Sequence, residues 1–101
     1  MRAKCKTLPR KVVSLADIPD WNFDGSSCYQ ATTENSEVIM KPCAFFPDPF
    51  RGGDNILVLT ECYNWADSDF KNLKPANTNF RSFVKPIFEQ TKGEQPWYGL
   101  E

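Results

Sequence analysis

The stretch Asn55-Ile-Leu-Val-Leu-Thr-Glu-Cys62 is the strongest strand signal in this sequence. Its run of consecutive aliphatic residues is typical of a strand at the centre of a sheet, where both faces are covered. The preceding stretch, Asp48-Pro-Phe-Arg-Gly-Gly-Asp54, has the proline and glycines of a turn. The sequence therefore predicts a central strand over residues 55–62 that is entered from a turn.

Shorter elements are predicted before this strand. Residues 1–8 alternate basic with uncharged side chains, which favours a strand with one solvated face. Residues 14–33 contain proline, glycine and several serines, threonines and asparagines, and they are predicted to be a loop-rich segment. Residues 37–41 are predicted to form a strand that ends at Pro42, and a separate apolar run follows over residues 43–46.

An amphipathic helix is predicted after a polar loop over residues 63–76. The apolar residues at positions i, i+3, i+4, i+7 and i+8 are Phe80, Phe83, Val84, Ile87 and Phe88. This spacing forms one stripe along a helix. Its start is expected to be capped by Asn77, Thr78 or Asn79. Pro86 lies within the stripe and is expected to kink the helix or to end its regular part.

These elements predict an α+β fold. Strands are followed by one helix and by a further strand that begins at residue 97, so a mixed sheet packing against a single helix is expected. A length of 101 residues allows one compact domain of this kind.

Composition excludes several function classes. The chain contains no histidine, which removes Ser-His and Cys-His nucleophilic pairs and His-ligated zinc. Its net charge of −1 argues against a general nucleic-acid-binding protein. No apolar run approaches the ~18 residues of a membrane helix, so neither nucleic acid nor a membrane is expected as a partner. The four cysteines lack C-x-x-C spacing, and reduced thiols in a cytoplasmic protein are expected.

The most informative motif is Trp21-Asn-Phe-Asp-Gly-Ser-Ser27. The Asp-Gly-Ser-Ser part alone predicts a turn, because Asp24 can accept from amides two residues on and Gly25 permits a positive φ. The whole pattern is more specific than that turn. After Ser27 come seven residues, then Asn35-Ser-Glu37 and the hydrophobic strand Val38-Ile-Met40.

This pattern resembles the N-terminal signature of the glutamine synthetase (glutamate-ammonia ligase) family, in its eukaryotic type. Further segments are similar to the family in the same order along essentially the whole chain. They are Arg2-Ala-Lys-Cys-Lys-Thr-Leu8, residues 41–42 and 45–64, Thr78-Asn-Phe-Arg81 and Pro96-Trp-Tyr-Gly-Leu-Glu101.

The resemblance implies a fold and an activity. It implies that residues 1–96 are the N-terminal β-grasp domain of a synthetase and that residues 97–101 begin its catalytic domain. The family makes glutamine from glutamate, ammonia and ATP through γ-glutamyl phosphate, with Mg²⁺ or Mn²⁺. Its active sites lie between neighbouring subunits of a stacked-ring homo-oligomer.

The resemblance also implies roles for individual residues. Asp24 matches the aspartate that binds ammonium and helps to deprotonate it, and Ser27 would shape the same catalytic loop. Glu101 matches the first glutamate of a Glu-x-Glu metal site beside the nucleotide, and Trp97 would line the nucleotide side. The plainer alternatives are loop architecture for Ser27, a core or interface position for Trp97, and a terminal charge for Glu101.

The match stops at both ends of the chain. The family has a further strand before residues 2–8, and its second Glu-x-Glu residue and catalytic domain would follow Glu101. We therefore expect a fragment that is inactive as an isolated chain of 101 residues. The alternative is a truncated, non-catalytic β-grasp paralogue that docks into a synthetase ring as an interaction module.

Overall fold

The computed structural model describes residues 3–67 and 69–97. Within these residues it contains four strands, one α-helix and three short 3-10 turns. The strands are β1 (Trp21–Asp24), β2 (Glu37–Pro47), β3 (Ile56–Trp65) and β4 (Leu73–Pro75), and the helix is α1 (Phe80–Thr91). The predicted α+β class, a sheet with a single helix, is confirmed for the described residues.

The four strands form one sheet in the order β1-β2-β3-β4. Each described pair is antiparallel, and Ile39 stands opposite Tyr63 where β2 and β3 meet. β3 therefore has a partner on both sides, which confirms the central strand predicted over residues 55–62. A mixed sheet was predicted, which requires at least one parallel pair of strands. No parallel pair is found among the described strands, because each strand pairs antiparallel with the strand that follows it along the chain.

The reversal between β2 and β3 is organised by Asp48, whose side chain is buried. Its carboxylate accepts from the amides of Phe50 and Arg51 at 2.8 and 3.2 Å and from Arg51 Nη1 at 2.8 Å. Gly52 and Gly53 follow with φ of 65° and 58°, which L side chains rarely adopt. The predicted turn over residues 48–54 is confirmed, and Arg51 orders it.

Strand β2 continues through Pro42, so the prediction that a strand ends there is wrong. The register between β2 and β3 shifts between Pro42 and Ala44. Such a bulge accommodates a residue that has no N–H to give to the ladder. The two predicted segments, 37–41 and 43–46, are therefore halves of one strand.

The loop predicted over residues 63–76 is partly wrong. Strand β3 runs on to Trp65, and the short strand β4 pairs with its last residues. Asn64 and Lys74 stand opposite each other in this pair. A half-buried strand is recognised in a sequence by alternating apolar and polar residues. The edge strand β4 is too short to establish this alternation, so the sequence did not predict it.

The first elements of the chain also differ from expectation. Residues 3–8 form no regular strand, and β1 lies within the segment predicted to be a loop. Lys4 Nζ lies 4.1 Å and Lys6 Nζ 5.4 Å from the centre of the Trp21 ring. Lys4 Nζ also donates to the Asn22 carbonyl at 2.6 Å. Residues 3–8 thus contact β1 through basic side chains rather than through a backbone ladder.

Asn79 begins α1 and ties it to the sheet. Its carboxamide oxygen accepts from the Ser82 amide at 3.1 Å, and its Nδ2 donates to the Cys62 carbonyl of β3 at 2.9 Å. The helix continues past Pro86 to Thr91, so of the two expected effects of Pro86, a kink or an end of the helix, the end is not observed. Pro86 is exposed and removes one backbone N–H donor from the helix. The remaining hydrogen bonds of the turns on either side maintain the helix.

The core formed by the described residues is small. Val38 and Ala76 are the buried apolar residues within the described part of the chain. Of the predicted helix stripe, Val84 and Phe88 are half-buried, whereas Phe80, Phe83 and Ile87 are 70%, 55% and 56% exposed. The helix contacts β3 through an ion pair, Arg81 Nε to Glu61 Oε1 at 2.8 Å. Among the described residues, no helix is long and apolar enough to span a membrane.

Candidate functional site

The Asp-Gly-Ser-Ser loop folds as a tight turn at the end of β1. A 3-10 turn over Ser26–Cys28 follows Gly25 directly. The Gly25 carbonyl accepts from the amides of Cys28, Gln30 and Ala31 at 3.2, 2.8 and 3.2 Å. The Gly25 amide donates to the Ser36 carbonyl at 2.6 Å. The loop is therefore closed on itself and fixed to the start of β2.

Gly25 is required for space rather than for backbone conformation. Its φ is −70°, so the positive φ that glycine permits is not adopted here. A Cβ at this position would lie 2.5 Å from Val38 Cγ2 and 2.8 Å from Ala31 Cβ. Such distances force a neighbour to move, and Val38 is fully buried. Glycine allows the loop to approach the core strand closely.

Asp24, the last residue of β1, presents an exposed carboxylate. Its Oδ1 accepts from the Ser26 hydroxyl at 2.6 Å and from the Ser26 amide at 3.0 Å. These hydrogen bonds, the hydroxyl first and the amide second, lower the pKa of Asp24 below its usual range, and the Ser36 hydroxyl adds to the effect. Asp24 is therefore an ionised carboxylate held at the surface, which can attract a cation.

The side chain of Ser27 contacts the backbone of Asp24. The Ser27 hydroxyl donates to the Asp24 carbonyl at 2.9 Å. This bond shapes the turn, so the contact supports the loop-architecture alternative for Ser27.

A second carboxylate, Glu37, lines this site, although the sequence motif that contains it did not predict it to be a site residue. It stands opposite Asp24 in the β1–β2 ladder. Its Oε1 accepts from Asn22 Nδ2 at 2.7 Å and its Oε2 from Trp65 Nε1 at 3.1 Å, and these two bonds lower the pKa of Glu37. Only the pairing register reveals this neighbour, because Glu37 lies thirteen positions away along the chain.

An open depression of about 340 Å³ lies over these groups. It is lined by Lys4, Asn22, Phe23, Asp24, Ser36 and Glu37. The lining includes the carboxylates of Asp24 and Glu37 and the depression is shallow, so it suits a small hydrated cation better than a large apolar ligand.

The predicted nucleotide and metal residues are not brought to this site by the described structure. Trp97 is 98% exposed, so it is not a core residue here, and Glu101 lies outside the described residues. Within residues 3–67 and 69–97, no group of three or more cysteine, aspartate or glutamate side chains could hold a metal ion. The described residues therefore do not fit a metal centre by themselves.

Comparison with known proteins gives one consistent result. No family model matches the chain. The glutamine synthetase of Tuber borchii is 50% identical over 101 residues, covering 100% of this chain and 26% of that protein. Those of Kluyveromyces lactis and Fusarium solani subsp. phaseoli are 46% and 45% identical over 101 and 100 residues, again covering 26% of each protein.

The chain thus spans 26% of the length of these curated relatives. Identity of this degree over 99% or more of the chain indicates common ancestry rather than a shared motif. The resemblance stated from the sequence is confirmed, and the chain is a homologue of the glutamine synthetases that corresponds to one region of them.

Proposed function

We propose that this chain is the N-terminal, β-grasp region of an ATP-dependent glutamine synthetase and supplies the ammonium-side loop of its active site. The observation that carries the proposal is the exposed, ionised Asp24, fixed by Ser26 at the end of β1. The relatives named glutamine synthetase support the same assignment.

Asp24 supports the reaction in two ways. Its negative charge attracts ammonium, and Glu37 across the ladder strengthens the local field. A carboxylate can also accept a proton from bound ammonium when the pKa values of the two groups are brought closer by a less polar environment. Ammonia would then be released beside the activated γ-carboxyl group of glutamate.

The remaining assignments follow from the same proposal. ATP and a divalent metal serve the complete enzyme, where Trp97 would line the nucleotide side and Glu101 would be a metal ligand. The domain boundary lies between residues 96 and 97. Neighbouring subunits of a homo-oligomeric ring complete the active site. The enzyme is located in the cytoplasm. The isolated chain of 101 residues is inactive.

A second candidate function is a non-catalytic interaction module that docks into a synthetase ring. The exposed helix residues Phe80, Phe83 and Ile87 favour it, because a contiguous apolar stripe of this kind marks surfaces that contact another protein. In this case Asp24 would have no catalytic role.

A chimera separates the two candidates. The matching region of the Tuber borchii glutamine synthetase is replaced by these residues, and glutamine formation is measured together with oligomeric mass. We expect an assembled and active chimera, whereas the isolated chain shows no activity. A chimera that assembles but stays inactive would instead support the interaction module.

A further inference from the structure

The Ser26 hydroxyl, in the turn after β1, bonds directly to the Asp24 carboxylate. The Ser26 hydroxyl and the Ser26 amide both donate to one atom, Asp24 Oδ1, at 2.6 and 3.0 Å. The shorter distance is typical of a hydroxyl that donates to an ionised oxygen. One oxygen of Asp24 is thereby committed to the turn.

We infer that Ser26 is a positioning residue for the ammonium site, fixing the rotation of the Asp24 carboxylate so that Oδ2 faces the cation. This inference rests on the function proposed for Asp24. An exposed aspartate otherwise samples several rotamers, and a cation that binds it must order the side chain. A carboxylate fixed in advance binds without that loss.

The neighbouring residues explain why this hydroxyl matters. Glu37 stands opposite Asp24 on β2, and Lys4 lines the same depression. The Ser36 hydroxyl is a further donor to Asp24. Of the hydrogen bonds that lower the pKa of Asp24, the one from the Ser26 hydroxyl has the largest effect.

Ser27 offers a matched comparison within the same turn. Its hydroxyl donates to the Asp24 carbonyl oxygen at 2.9 Å. Substituting Ser26 removes a hydroxyl that bonds to the Asp24 carboxylate, whereas substituting Ser27 removes a hydroxyl that bonds to the Asp24 backbone. The comparison distinguishes an effect on the carboxylate from an effect on the turn.

The test is an NMR titration of the Asp24 carboxyl carbon in the complete chain. The parent chain is compared with Ser26→Ala, Ser26→Thr and Ser27→Ala. We expect Ser26→Ala to raise the pKa of Asp24, Ser26→Thr to restore it because threonine keeps the hydroxyl, and Ser27→Ala to leave it unchanged. An unchanged pKa in Ser26→Ala, or no rescue by threonine, would overturn the inference.

A measurement on the parent chain covers the case in which Ser26→Ala does not fold. The amide proton of Ser26 bonds to Asp24 Oδ1. Its chemical shift should therefore change with pH at the same midpoint as the Asp24 carboxyl carbon. A Ser26 amide that does not follow this midpoint would also overturn the inference.

An activity measurement then connects the inference to the proposed function. In the active chimera, Ser26→Ala should raise KM for ammonium by about two- to tenfold with little change in kcat, and Ser26→Thr should restore it. An unchanged KM for ammonium in Ser26→Ala would contradict the positioning role. If Asp24 itself proves dispensable in the chimera, the proposed function fails, whereas the titration still decides whether Ser26 controls Asp24.

Discussion

Asp24 and Glu37 stand directly opposite each other across the β1–β2 ladder, so their carboxylates are neighbours on one face of the sheet. Like charges in this arrangement destabilise a sheet. Here each carboxylate is held by neutral donors, Ser26 for Asp24, and Asn22 together with Trp65 for Glu37. The chain thus keeps two ionised groups side by side at the surface, which is a useful arrangement for attracting a small cation.

Replacing Gly25 should destabilise the chain. In Gly25→Ala the new methyl group would lie 2.5 Å from Val38 Cγ2 and 2.8 Å from Ala31 Cβ. Overpacking of this kind reduces the free energy of unfolding by about 1–3 kcal/mol, which urea denaturation can measure. Gly93→Ala is the control, because nothing lies within 4 Å of its Cβ position. Equal stability of Gly25→Ala and the parent chain would contradict the close approach of the loop to β2.

Asn79 should be the residue that caps α1. Asn79 is 5% exposed. Asn79→Ala removes the acceptor for the Ser82 amide and the donor to the Cys62 carbonyl. We expect the free energy of unfolding to fall by about 1–2 kcal/mol. Asn77→Ala and Thr78→Ala change exposed neighbours and should have little effect. A larger loss for either neighbour would place the cap elsewhere.

The asparagine cap illustrates how far the sequence predicts this fold. Local signals located the central strand, the turn around Gly52 and Gly53, and the helix with its choice of caps. Local signals did not predict β1 and β4, because these strands depend on pairing with residues distant in the sequence. They also predicted that a strand ends at Pro42, because the bulge that lets β2 continue there depends on its pairing with β3. Pairing likewise placed Glu37 beside Asp24, and no spacing rule along the chain predicts that contact.

Truncating Val38 should lower the free energy of unfolding more than truncating a larger but exposed apolar residue. Val38 is fully buried, whereas Phe83 is 55% exposed on α1. Val38→Ala should lower the free energy of unfolding by about 1.5–3 kcal/mol. Phe83→Ala should lower it less, although it removes a larger side chain. The reverse order in urea denaturation would show that the helix stripe is buried in solution.

Acid should weaken the turn between β2 and β3. The hydrogen bond from the Arg51 side chain, followed by those from the amides of Phe50 and Arg51, lowers the pKa of Asp48. An unfolded aspartate titrates near pH ~4. The stability that Asp48 contributes is therefore complete above that pH and is lost as the pH falls through its lower folded value.

The urea midpoint should thus be higher near neutral pH than at about pH 3. Asp48→Asn should make this difference smaller, because the charge that Arg51 contacts is removed. Asp69→Asn changes an exposed residue in another loop and serves as the control. A pH dependence that Asp48→Asn leaves intact would contradict the role of Asp48.

The proposed role of Asp24 in ammonium binding is tested most directly by steady-state kinetics of the chimera with the Tuber borchii enzyme. KM for ammonium and KM for ATP are compared in the parent chimera, Asp24→Asn and the control Asp69→Asn. Our account predicts a rise in KM for ammonium of tenfold or more in Asp24→Asn, on the order of 1.4 kcal/mol or above, with KM for ATP unchanged. An unchanged KM for ammonium with normal turnover in Asp24→Asn would contradict it.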